Sequence, residues 1–339
     1  MSTNELIATA HALVEPGKGL LAADESNSTI AKRFKEIDLE STEDTRRAYR
    51  RLLLTTPGIE QYLSGVILFD ETIRQSAADG TPLPQALADK GVIPGIKVDK
   101  GAKALAGFPG EKVTEGLDGL RERLEEYRGL GARFAKWRAV IGIGEVMPSP
   151  ACIEANMHAL ARYAGLCQEA GLVPIVEPEV LIDGDHTIEQ CRAATAETWQ
   201  QLYTQLYRQN VLLEGSLLKA SMVLSGKQSR EQAGPERVAE ETVALARAFV
   251  PAAVPGIVFL SGGQTPVQAT EHLNAMNNLG EQPWKLGFSY ARALQGPVLQ
   301  AWRGDDANTE AAQQALLQRA HLNSAAMLGR YASDMEQAA

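Results

Sequence analysis

Short apolar or β-branched runs recur along the chain, and each closes on polar or charged residues: Gly19–Asp24, Gly65–Asp70, Pro94–Asp99 and Arg133–Arg138, then Val173–Glu179, Leu212–Lys219, Ile257–Ser261 and Trp284–Ser289. Amphipathic stretches separate most of them. Leu117, Leu120, Leu124, Tyr127 and Leu130 fall on one helical face, as do Ile153, Met157, Leu160, Ala164 and Cys167. Ser41-Thr-Glu-Asp44 reads as a helix N-cap and Pro57-Gly58 as that helix's stop. Eight strand-like runs, roughly 30 to 45 residues apart and separated by helices, predict parallel pairing through right-handed crossovers, which closes into a (β/α)₈ TIM barrel of the α/β class. No composition break marks a boundary, so residues 1–339 are expected to form a single domain. Its barrel core spans about 18–300, with an extra helix within residues 1–16 and a C-terminal helix and tail over about 305–339. A doubly wound sheet uses the same alternation, but the glycines of Gly17-Lys-Gly-Leu-Leu-Ala22 precede the apolar run instead of following it. They therefore cannot cradle a pyrophosphate at a helix start.

Composition narrows the function. Lys and Arg number 33 against 42 Asp and Glu, a formal net charge of −9, which argues against a nucleic-acid or membrane-surface binder. With no signal-like start and no apolar run long enough to span a bilayer, a cytoplasmic protein is expected. Cys152, Cys167 and Cys191 form no ligand motif and read as buried thiols, and the five histidines include no pair at ligand spacing, so no metal site is expected. Leu260-Ser-Gly-Gly-Gln264 spells the signature pentapeptide of ABC-type ATPases. The required phosphate loop is missing, however: Gly226-Lys227 is followed by Gln228, with Ser221 where the first glycine belongs. A Ser-Gly-Gly at a strand end can bind a phosphate through its backbone N–H groups without any nucleotide.

In a parallel barrel the chemistry sits at the carboxyl ends of the strands, and here those ends carry Asp24, Lys97, Lys136, Glu177, Glu179 and Lys219. Lys136 and Lys219 lie in apolar surroundings, Phe134-Ala-Lys-Trp and Leu217-Leu-Lys-Ala. Such lysines either reach the barrel rim and pair with carboxylates or do chemistry. Two together, without metal ligands or a nucleotide loop, favour chemistry. A desolvated lysine beside a second cation supplies the neutral amine that attacks a carbonyl, and the resulting iminium is an electron sink for breaking or making a carbon–carbon bond. Glu177 and Asp24 are the candidate proton carriers, with Glu179 on the same strand face as Glu177.

At this point the sequence resembles the class I, Schiff-base-forming fructose-bisphosphate aldolases. The motifs are Leu21-Ala-Ala-Asp-Glu-Ser26 with Ile30-Ala-Lys-Arg33, Gly65–Thr72, Gly95–Gly101, Phe134-Ala-Lys-Trp-Arg138, Pro174–Glu179 and Asp183-Gly-Asp-His186. Leu213–Lys219, Phe259-Leu-Ser-Gly-Gly-Gln264 and Leu286–Gln295 complete them. The resemblance implies reversible cleavage of fructose 1,6-bisphosphate to dihydroxyacetone phosphate and glyceraldehyde 3-phosphate, a step of glycolysis and gluconeogenesis, with no cofactor. Lys219 would form the Schiff base, Glu177 would be the principal acid/base residue, Lys136 the neighbouring cation, and Asp24 the group orienting Lys219 and the reacting hydroxyl. Ser261, Gly262, Gly263, Ser289 and Arg292 would bind the phosphate nearer the ketone. Arg33, Ser26, Thr29 and Lys97 would take the distal phosphate, with Arg138 in support. A homotetramer is implied as well.

The chain departs from the family pattern in three places. Lys219 is followed by Ala220-Ser221 where Pro and then Asn or Ser are usual, Asp70 replaces a frequent His, and the chain ends Met335-Glu-Gln-Ala-Ala339 where many relatives end in tyrosine. The residues after Tyr331 are therefore expected to stay loose, leaving Tyr331 as the last aromatic able to reach the barrel mouth.

Overall fold

The computed structural model describes residues 2–337. Ten strands form. The first three are β1 (Gly19–Ala23), β2 (Leu63–Leu68) and β3 (Ile93–Lys97), followed by a short hairpin of β4 (Ala102–Ala104) and β5 (Lys112–Thr114). Then come β6 (Phe134–Ile141), β7 (Val173–Val180), β8 (Leu217–Ala220), β9 (Gly256–Phe259) and β10 (Lys285–Tyr290). All but the hairpin pair in parallel in one closed barrel, ordered β1-β10-β9-β8-β7-β6-β3-β2. These eight strands are the eight runs read from the sequence. The hairpin between β3 and β6 was not foreseen, because three-residue strands carry too few positions to show a period.

The alternation of side chains along each strand decides what enters the barrel. Leu20, Ala22, Ile67, Phe134, Val173, Ile175, Leu217 and Val258 form a small inner core. Their strand neighbours, among them Leu21, Val66, Ala135, Trp137, Val176, Leu218 and Ile257, face the surrounding helices in the larger outer core. Continued by twos, the inner columns turn from apolar to charged: Leu20 and Ala22 lead to Asp24, Phe134 to Lys136 and Arg138, Val173 and Ile175 to Glu177 and Glu179, and Leu217 to Lys219. The apolar half of each column thus becomes the floor beneath the charged half.

The opposite end is closed by the N-terminal helix Thr3–Ala12, capped by a reciprocal Ser2–Glu5 box. Its Leu6 and Ala10, with Leu13 and Val14 after it, belong to the inner core. Gly256, at the start of β9, gives Val14 its space, since a methyl group there would lie 2.6 Å from Val14 Cγ1. The predicted N-cap near Ser41 is Thr42, which opens helix Glu43–Thr55, and Gly58 ends that segment with φ at +79°. All three cysteines are buried free thiols.

The tail corrects one expectation. The helix Thr309–Met327 is followed by a 3₁₀ turn over Ser333–Glu336, and Glu336 returns to grip Arg319, with both carboxylate oxygens 2.6 and 2.8 Å from Nη1. Tyr331 is buried and donates from its hydroxyl to Glu336 at 3.0 Å. Residues 332–337 are therefore held rather than loose, because an ion pair supplies the anchor that their small side chains do not. The expectation for Ala338 and Ala339 lies outside the described residues. Among the described residues no helix is long and apolar enough to cross a membrane.

Candidate active site

At the carboxyl ends of the strands a cleft of about 470 Å³ opens. Fourteen of the fifteen residues singled out from the sequence line it: Asp24, Ser26, Thr29, Arg33, Lys97, Lys136, Arg138, Glu177, Glu179, Lys219, Ser261, Gly262, Ser289 and Arg292. The fifteenth, Gly263, sits directly behind the wall, against Arg292.

The floor is an alternating chain of charges. Lys219 is only 3 % exposed, and its Nζ lies 3.2 Å from Glu177 Oε1. The other oxygen of Glu177 lies 3.0 Å from Nζ of Lys136, which is equally buried and also pairs with Asp24 Oδ2 at 2.7 Å. Ion pairs this deep break easily when one partner is lost, since each charge depends on the others for its solvation. Burial alone would raise the pKa of Asp24, but Lys136, Lys219 and Lys97 outweigh it and hold the carboxyl well below the usual range. Glu177 is likewise lowered against the pull of burial, by Lys136, Lys219 and Arg138. Lys136 moves the other way: burial works against its charge, yet Asp24, Glu177 and Asp99 push its pKa up, so it is a fixed cation. Glu177 thus rests ionised between a locked ammonium and Nζ of Lys219, a geometry suited to passing a proton.

The walls carry two positively charged ends. On one side Ser261, Gly262, Ser289 and Arg292 meet where β9 and β10 end. Gly262 and Gly263 have φ of +57° and +95°, so the chain turns tightly there in a backbone conformation that glycine adopts without strain. Arg292 is the first residue of helix Arg292–Trp302, and the buried Oγ of Ser289 has no hydrogen-bond partner among the described residues. On the opposite side Lys97 pairs with Asp99 at 3.0 Å, and Arg33 is held by Glu25. Ser26 is the N-cap of helix Asn27–Lys35, yet its hydroxyl caps no backbone group and instead lies 3.0 Å from Thr29 Oγ1. Arg138 is bound to Glu179. Among the described residues no group of three or more His, Cys, Asp or Glu side chains is placed to hold a metal ion.

Sequence reasoning missed Glu25, Asp99 and Lys32. Glu25 is buried and anchors both Arg33 and Arg50, the latter at 2.7 Å, while Gln295 donates to it at 2.9 Å. Its presence in the Leu21–Ser26 motif was visible. The burial of Arg50, one arginine among several on helix Glu43–Thr55, was not. Two departures from the family pattern are accommodated by backbone and side-chain hydrogen bonds: Ser221 donates to Val180 O at 2.7 Å, and Asp70 accepts from the Tyr127 hydroxyl at 2.8 Å.

Comparison with known proteins agrees with this geometry. The family model described as fructose-bisphosphate aldolase class-I matches residues 5–339. A probable fructose-bisphosphate aldolase class 1 of Xanthomonas campestris is 62% identical, over 98% of this chain and 99% of the relative. The cytosolic fructose-bisphosphate aldolase 4 of Arabidopsis thaliana is 53% identical over 98% of this chain and 85% of its own. Among solved structures, the fructose-bisphosphate aldolase of Plasmodium falciparum, crystallised with TRAP and a small-molecule inhibitor, superposes with a TM-score of 0.96 at 48% identity, covering 97% of this chain and 96% of that one. With the whole chain matched at this level and a barrel of the same shape, the protein belongs to the class I fructose-bisphosphate aldolase family.

Proposed function

We propose that the chain cleaves fructose 1,6-bisphosphate reversibly to dihydroxyacetone phosphate and glyceraldehyde 3-phosphate through a Schiff base on Lys219. The observation that carries this reading is the Lys219–Glu177–Lys136–Asp24 chain of ion pairs on the floor of a cleft with a cationic end on either side. Glu177 Oε1 takes the proton of the Lys219 ammonium, and the freed amine attacks the ketone carbon. The carbinolamine loses its hydroxyl as water, with Glu177 returning the proton, and the iminium remains. Asp24 orients the hydroxyl whose proton Glu177 takes as the carbon–carbon bond breaks, the bonding pair flows into the iminium to give an enamine and free aldehyde, and Glu177 then returns that proton to the enamine carbon. Hydrolysis then releases the three-carbon ketone phosphate and regenerates Lys219. Lys136 keeps its charge throughout and holds both carboxylates ionised in the resting site. Ser261, Gly262, Gly263, Ser289 and Arg292 grip the phosphate nearer the ketone, and Ser26, Thr29, Arg33 and Lys97 the distal one, with Arg138 and Glu179 supporting the site.

The cytosolic naming of the Arabidopsis relative supports a cytoplasmic location, and a homotetramer is proposed as the working assembly. Borohydride added with dihydroxyacetone phosphate should leave a covalent adduct on the peptide containing Lys219, and Lys219→Ala should show neither adduct nor turnover. An adduct on a different lysine, or activity abolished by EDTA with no adduct, would overturn the mechanism.

A further inference from the structure

Lys227 has no part in the scheme above. Its position is fixed by the backbone: its N–H donates to Ile182 O at 2.8 Å, while Gly226 N–H donates to His186 O at 2.8 Å and Gln228 N–H to Gly184 O at 2.9 Å. These bonds clip the loop after β8 to the loop after β7. From this base the side chain reaches over the Gly262–Gly263 turn. A methyl group built on Gly263 would lie 2.6 Å from Lys227 Nζ, 2.8 Å from its Cε and 3.3 Å from Arg292 Nη2, so both cations converge on one face of that glycine. The Ser289 hydroxyl, with no hydrogen-bond partner among the described residues, lines the adjoining cleft. Lys227 is 37 % exposed and pairs with Asp183 Oδ1 at 3.2 Å, a carboxylate more exposed still.

We propose that Lys227 is a second cation of the subsite for the phosphate nearer the ketone, and that Asp183 competes with that phosphate for it. The proposal rests on the reading of that subsite given above and extends it. A phosphate monoester carries about −1.5 to −2 charges at pH 7, which one guanidinium does not balance. Arg292 and Lys227 together do. Because Lys227 already holds a monoanion, a bound dianion replaces one ion pair by a stronger one, and an unphosphorylated ketose gains nothing from it. Lys227 is thus a specificity-determining residue for the phosphorylated ketone.

The test uses the full chain with fructose 1,6-bisphosphate, fructose 1-phosphate and, in the condensation direction, dihydroxyacetone phosphate and glyceraldehyde 3-phosphate. Lys227→Met should raise KM for the first three about two- to fivefold at low salt, the range of a partly exposed charge pair. Turnover at saturation should stay within about twofold, and the KM for glyceraldehyde 3-phosphate should not move. Lys227→Arg should restore affinity, Asp183→Asn should lower KM, and the gap between Lys227→Met and the parent should narrow in 0.5 M salt, where the screening length falls to several ångströms. An unchanged KM in Lys227→Met, or an equal rise for glyceraldehyde 3-phosphate, overturns the proposal. Borohydride trapping of the parent keeps the two failures apart. A parent with no adduct on Lys219 refutes the mechanism, whereas a parent and Lys227→Met that half-saturate trapping at the same dihydroxyacetone phosphate concentration refute only the role of Lys227.

Discussion

Substituting Glu336 by Gln tests whether the tail serves stability or catalysis. Arg319 is 4 % exposed, and it keeps Pro266 O at 2.9 Å and Thr270 Oγ1 at 2.6 Å once Glu336 loses its charge. Breaking a fully buried pair by removing one partner costs about 3–5 kcal/mol. Here the cost is smaller, because the Glu336 side chain is 21 % exposed and two neutral acceptors still solvate the guanidinium; about 2 kcal/mol is a reasonable size. At roughly 2 °C per kcal/mol for a chain of this length, the thermal midpoint should fall by about 4 °C. The double variant Glu336→Gln with Arg319→Met should lose less than the two single losses added, since the second change removes the cation left unpaired by the first. Among the described residues none after Arg292 lines the cleft, so kcat for the bisphosphate at 25 °C should stay within about threefold. Calorimetry and a steady-state assay read the two effects separately. A tenfold loss of kcat with an unmoved midpoint would refute the reasoning and place a tail group in the reaction.

Three further outcomes follow from the cleft. Glu177→Gln keeps the shape of the side chain but not its proton transfer, and should lower kcat by about 10² to 10⁴ while a borohydride adduct remains detectable; complete loss of trapping would contradict the division of roles. Arg292→Ala should raise KM for phosphorylated substrates more than it lowers kcat, and an unchanged KM would remove it from the phosphate subsite. Asp24 is held below its ordinary value of 3.8, so the stability it contributes is present above that pH and drains as pH falls through its folded value. The gap in urea midpoint between parent and Asp24→Asn should therefore hold from pH 6 to pH 4.5 and shrink between pH 4 and pH 2.5, and a gap unchanged over the lower window would show that folding does not hold the Asp24 carboxyl below its unfolded value.

The barrel was legible in the sequence because each of its strands repeats one physical pattern, an apolar run ending in charge. The same runs put Lys136, Glu177 and Lys219 at strand ends, while the inward direction of all three follows from the register of the closed barrel. What stayed hidden depends on pairing between distant segments. Arg50 reads as one arginine among several on helix Glu43–Thr55, and only its contact with Glu25 explains its burial. Glu336 sits in a stretch of small and polar residues, and its hold on Arg319 depends on how the chain turns after Gly329, where φ is +64°. Lys227 looked like part of a failed phosphate loop. Its actual neighbours, Gly263 and Arg292, are brought to it by β9 and β10, which no local reading connects to that loop.

The barrel closes by pairing its first strand with its last, Leu20 beside Ser289 and Leu21 beside Tyr290. During synthesis this means that a growing chain emerging from the ribosome already contains Asp24, Lys136, Glu177 and Lys219 well before it can arrange them. At about 5–20 residues per second, several seconds separate the appearance of Lys219 from that of β10. Until then the Ser289 and Arg292 subsite does not exist, the sheet has two open edges, and the amine of Lys219 lacks its closed pocket. The chemistry proposed for Lys219 therefore becomes available only with the last strand. A prematurely terminated chain carries every residue of the floor and none of the enclosed site.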